Sequence, residues 1–119
     1  MANPNLLAAT SMYAKSAQGN GDAGADVDMI TCPSNKLIKV INIHILNTHA
    51  SGVEVNLEIG GKVIYIHTHN NNVEALGSAD RANNLCPFFL MESEKLEMIA
   101  TTDAGSLRWN VAYEEYDDA

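Results

Sequence analysis

The sequence predicts an all-β chain, a single-domain β-sandwich or jelly roll of about six to eight antiparallel strands. Three observations predict it. Apolar and polar residues alternate at period two in segment after segment. Clusters of Gly, Pro, Asn, Asp and Ser separate those segments at short intervals. No stretch repeats apolar residues at helical spacing over a useful length. The chain has 119 residues, which fits one domain over 1–119 with a modest core.

Residues 1–15 set Leu6, Leu7, Met12 and Tyr13 among Ala, Ser and Thr, the pattern of a first strand or an extended N-terminal arm. Residues 16–26 hold Gly19, Gly21 and Gly24 among small polar residues and read as a flexible loop. No Gly-Lys-Ser/Thr element accompanies them, so they do not form a phosphate loop. Val27 to Cys32 is a short strand closed by the turn cluster Pro33-Ser34-Asn35. Leu37 to Thr48 carries the strongest strand signal, with Ile41, Ile43 and Ile45 alternating with Asn42, His44 and Leu46. Ala50-Ser51-Gly52 makes the next turn.

A hairpin follows. Val53, Val55, Leu57 and Ile59 alternate with Glu54, Asn56 and Glu58, then Gly60-Gly61 leads into Lys62-Val63-Ile64-Tyr65-Ile66-His67. Two alternating runs joined by Gly-Gly predict a two-residue loop. In that register Ile59 faces Lys62, Leu57 faces Ile64 and Val55 faces Ile66 on the core side. The outer side then carries Glu58 opposite Val63, Asn56 opposite Tyr65 and Glu54 opposite His67.

Residues 70–84 are small and polar and read as a long surface loop. Leu85 to Met91, with Pro87, reads as an edge strand or a strand start. Glu92-Ser93-Glu94 makes a turn. A second hairpin is expected from Leu96-Met98-Ala100 and Leu107-Trp109-Val111-Tyr113 around Asp103-Ala104-Gly105-Ser106. It sets Ala100 opposite Trp109, Met98 opposite Val111, Leu96 opposite Tyr113, and Lys95 near Glu114.

Charge narrows the function. Fifteen acidic residues oppose seven basic ones, a net charge of −8, and the basic residues form no run. Binding to a nucleic-acid backbone needs clustered Lys and Arg, so nucleic acid is not an expected partner. No apolar run reaches the length of a membrane helix, and no charged region precedes an apolar stretch near Met1, so neither a membrane partner nor a signal peptide is expected. Cys32 and Cys86 show no CxxC pairing and read as buried free thiols.

Catalytic signatures are missing. There is no Gly-x-Ser-x-Gly elbow and no His-Glu-x-x-His motif, and Glu92 and Glu94 lie in a turn rather than across a cleft. The expectation is therefore a non-enzyme with no cofactor. His67 and His69 share one strand face, and Glu54 opposite His67 could complete a metal site. Without denser ligand spacing they read as a polar cross-strand group instead, so no metal is expected. The predicted interaction surface is the outer face of the first hairpin: Val63, Tyr65, His67 and Glu54. An apolar strip on the second face of a sheet calls for cover, either by another part of this chain or by a neighbouring subunit.

Met1-Ala2-Asn3-Pro4-Asn5 and Ala9-Thr10-Ser11-Met12-Tyr13-Ala14-Lys15 resemble the start of small virion structural proteins of tailed bacteriophages, including cyanophages. Lys36-Leu37-Ile38-Lys39-Val40-Ile41-Asn42-Ile43, Pro87-Phe88-Phe89-Leu90-Met91-Glu92 and Ala112-Tyr113-Glu114-Glu115 follow in the same order. Residues 70–84 are richer in Asn and Ala than that pattern. The resemblance implies a virion component made in the host cytoplasm, assembled as a homo-oligomer on the major capsid protein or other virion proteins. A capsid decoration or cement protein is the leading expectation. A neck, tail or fibre component is the alternative, as is a carbohydrate-binding module, which the expected placement of Trp109 in the core disfavours.

Overall fold

The computed structural model describes residues 11–21, 26–49, 52–69, 86–100 and 107–117. Eight strands run through them: β1 (Met12–Asn20), β2 (Val27–Thr31), β3 (Lys36–Asn47), β4 (Val53–Ile59), β5 (Lys62–His69), β6 (Phe88–Leu90), β7 (Lys95–Ala100) and β8 (Leu107–Asp117). They form two four-stranded antiparallel sheets, ordered β1-β8-β3-β6 and β2-β7-β4-β5. The first half of the chain pairs with the second half in reverse: β1 with β8, β2 with β7, β3 with β6, β4 with β5. Rolling that long ribbon brings β8 onto β3 and β7 onto β4, which closes the two sheets of a jelly roll.

The ribbon folds back at Gly60-Gly61. Both glycines have positive φ (60° and 77°), the left-handed pair that a two-residue hairpin loop requires. Ile59 faces Lys62 across it, as the alternation predicts. The turn cluster at Pro33-Ser34-Asn35 is also present, with Asn35 at φ 61°, a conformation its short polar side chain tolerates.

Three bulges rephase the strands. Each inserts one residue: Met29 in β2, Ile41 in β3 and Ile64 in β5. A bulge opposes two residues to one and lets neighbours in sequence share a face. Met29 and Ile30 are accordingly both buried, and Ile64 and Tyr65 both pack on the core. At Ile41 the same device turns an isoleucine outward, although the alternation had placed it in line with Ile43 and Ile45.

The structure corrects two further expectations. β7 and β8 are not a hairpin, because they lie in opposite sheets. Trp109 faces Ile45 and Gly19, Val111 faces Ile43, and Tyr113 faces Val40, rather than Ala100, Met98 and Leu96. Lys95 and Glu114 are likewise in different sheets. The expected loop over 16–26 is strand as far as Asn20. Apolar content is not what holds it. β1 is paired to β8 at every position from Met12 to Asn20, and Gly19 admits the indole of Trp109. A Cβ on Gly19 would lie 2.9 Å from Trp109 Cζ2. The expected arm over residues 1–10, the rest of that loop at 22–25, the long loop over 70–84 and the turn at Asp103 to Ser106 lie outside the described residues.

The core fills the space between the sheets. Ile38, Val40, Ile43, Ile45, Val111 and Trp109 come from the first sheet, and Ile30, Val53, Val55, Leu57, Leu96 and Met98 from the second. At about 1.5–3 kcal/mol for each large aliphatic side chain removed from water, this layer is the main favourable contribution to folding.

Candidate interaction surface

The second sheet positions the predicted surface. β4 runs between β5 and β7, and its Glu54, Asn56 and Glu58 alternate with buried Val53, Val55 and Leu57. On the outer face the register sets two rows across the strands. One row is Asp28, Glu97, Glu58 and Val63, and the other is Ile99, Asn56 and Ile66. Val63 is 48% exposed and Ile66 is 60% exposed.

The bulge at Ile64 changes which residues form this surface. Beyond Val63 every pair shifts by one, so Leu57 faces Tyr65, Asn56 faces Ile66, Val55 faces His67 and Glu54 faces Thr68. Tyr65 was expected to point outward but packs on the core, and Ile66 takes the outer place. Glu54 is exposed but is not opposite His67, so the expected Glu54–His67 pair is not formed in this register. The side chains of His67 and His69 lie outside what is described. Val63 keeps its predicted outer position. Sequence reasoning missed Ile66, Ile99, Glu97 and Asp28. The uninterrupted run Val63-Ile64-Tyr65-Ile66 was the available signal, because four consecutive apolar residues do not fix which of them turn inward.

The outer face is poorly satisfied electrostatically. Asp28 faces Glu97, and Glu97 faces Glu58. Like charges in opposed positions repel. Lys95 Nζ lies 3.4 Å from Asp28 Oδ2, with both groups about half exposed, so it offsets little of that repulsion. Asn56 Oδ1 is buried and accepts no hydrogen bond.

The first sheet handles its polar groups differently. Lys15 on β1 pairs with the largely buried Glu115 on β8 at 3.1 Å, and Lys36 on β3 pairs with Asp117, which also accepts from the Ser11 hydroxyl. That contact holds the Lys36 ammonium above its ordinary value. Tyr116 donates to Glu114 at 2.7 Å, which raises its phenol, and the Asn42 amide meets His44 Nε2 at 2.6 Å. Met12, Ile41 and Phe89 are exposed on this sheet.

No group of three or more His, Cys, Asp and Glu among the described residues could hold a metal ion. Cys32 and Cys86 are free thiols, and burial is the largest cause pushing each up to about 11, so both are poor nucleophiles near neutral pH. A shallow cleft of about 360 Å³ is lined by Gln18, Gly19, Asn20, Arg108 and Trp109. Trp109 is only 8% exposed and its indole N–H donates to Asn20 O at 3.3 Å, so no open ring face is offered to a sugar. No helix among the described residues is long and apolar enough to cross a membrane. Set against protein-family models, curated proteins and solved structures, the chain matches none.

Proposed function

We propose that the chain is a structural virion protein of a tailed phage, a capsid decoration or cement protein that docks on the shell and beside sister subunits. Eight-stranded jelly rolls serve as viral capsid, lectin and cupin domains, so the fold admits this role without selecting it. The carrying observation is the outer face of the second sheet, where Val63 and Ile66 stand in solvent. Both apolar side chains lie on one outer face, where a covering partner would take them out of water. In this reading the chain is non-catalytic and takes no cofactor. It is made in the host cytoplasm, joins the major capsid protein or another virion protein, and ends in the particle.

The test uses particles that lack the protein. Wild-type chain is expected to sediment with them in many copies spread over the shell, and Ile66→Glu is expected to stay in the supernatant. If Ile66→Glu leaves both particle binding and oligomer size unchanged, the docking role is wrong. A few copies confined to the tail axis would move the assignment to a neck, tail or fibre component.

A further inference from the structure

We propose that the outer face of the second sheet docks a protein surface that is basic at one margin and apolar beside it. The inference rests on the docking role proposed above and adds the chemistry of the partner.

Two neighbouring rows carry the argument. Asp28, Glu97 and Glu58 stand in opposed positions on β2, β7 and β4. Opposed Cβ atoms in antiparallel strands are about 4.5–5.5 Å apart, so the row gathers three acidic side chains on one short stretch of the face. Two residues along the strands, about 7 Å away, Ile99, Asn56 and Ile66 form the second row, in which Ile66 is exposed and Ile99 and Asn56 are half-buried. In the free chain the first row concentrates negative charge and the second leaves Ile66 in solvent. A partner that sets Lys or Arg over the first row and aliphatic side chains over the second relieves both at once.

Charge complementarity eliminates the other occupants. A nucleic acid or an anionic lipid surface would meet carboxylates. A second copy stacked face to face about a two-fold axis would set its acidic row toward the same row. The size of the face sets the strength. Four strands about 4.8 Å apart and some 20–25 Å long present on the order of 400 Å², about half of one side of a standard interface. Binding through this face is therefore modest, reversible and weakened by salt.

The probe is a synthetic peptide of alternating Lys and Leu, titrated into isotope-labelled full-length chain while backbone amide resonances are followed. A Glu–Leu peptide serves as control. The expected result is shift changes concentrated on β2, β7, β4 and β5, with affinity falling about tenfold in Glu58→Gln/Glu97→Gln. The charge-matched variant Glu92→Gln/Glu114→Gln should stay near wild type. Shift changes on the first sheet, or equal losses in the two variants, would overturn the proposal, the second by reducing the effect to net charge. Calcium ions alone moving the same amides and displacing the peptide would reassign the row to a cation and also overturn it. The shift map does not depend on the variants folding. Peptide binding at this face without particle binding would sink the virion role alone, and particle binding with the peptide mapping elsewhere would sink this inference alone.

Discussion

Among the described residues, ion pairs tie the strands of the first sheet together, while the outer face of the second sets three acidic residues in a row. Lys15–Glu115 and Lys36–Asp117 tie β1, β8 and β3 together at one end, and the Trp109 indole bonds across to Asn20 at the other. On the second sheet three carboxylates oppose one another, one lysine answers from solvent, and a buried amide oxygen is unpaired. A domain of this size has only about 5–15 kcal/mol of net stability. Such costs persist where another requirement keeps them, and under the proposed docking role that requirement is a partner at the face that exposes Val63 and Ile66. The division between the two sheets lies in how their polar groups are paired, since Met12, Ile41 and Phe89 are exposed on the first sheet as well.

Four measurements would break or sharpen that division. The largest effect is expected on the first sheet. Gly19→Val drives a side chain into Trp109 and should destabilise by about 1–3 kcal/mol in urea unfolding, with a shift in tryptophan emission. A neutral result would mean that β1 does not lock onto β8 as described. Next comes Glu115→Gln, which leaves Lys15 without its anion. Lys15 is nearly half exposed and rehydrates, so the loss should be about 1–2 kcal/mol rather than that of a fully buried pair.

On the second sheet the sign should reverse. Asn56→Val removes an unpaired buried acceptor and adds a β-branched residue, and should raise the melting temperature by the equivalent of about 1 kcal/mol. A loss of stability would show that the amide is already served. The last effect belongs to the thiols and is absent near neutral pH. Their folded-state values near 11 lie above the ordinary 9.0, so between those values the native chain binds more protons than the unfolded chain. Stability should therefore fall as pH rises from about 9 to about 11 and be unaffected by the thiols below 9. Cys32→Ala/Cys86→Ala should flatten that alkaline arm in melting curves, and an unchanged slope would assign it to other groups.

Particular residues mark how far the sequence reached. Gly60-Gly61 gave away its hairpin because only glycine takes two successive left-handed conformations without cost. The inward faces of β7 and β8 were equally legible: Leu96 and Met98 are buried, as are Leu107, Trp109 and Val111. Alternation states which side chains turn inward, but not which sheet they come from, and so the expected second hairpin failed. On β5 the run of four apolar residues fits either of two registers, and only packing against β4 and the core chose the bulge that buries Tyr65 and exposes Ile66. Ser16 to Asn20 holds no large apolar side chain, so its strand could not be read from hydrophobic pattern at all.

By itself the sequence determined the all-β class, the ribbon's turning point, an acidic chain and most of the core, because these follow from residue chemistry and from patterns a few positions long. Tertiary structure alone decided the partition of strands between the two sheets, the three bulges and the alignment of Asp28, Glu97 and Glu58. Those features depend on pairing between segments far apart in the chain, and local patterns carry no record of which segments meet.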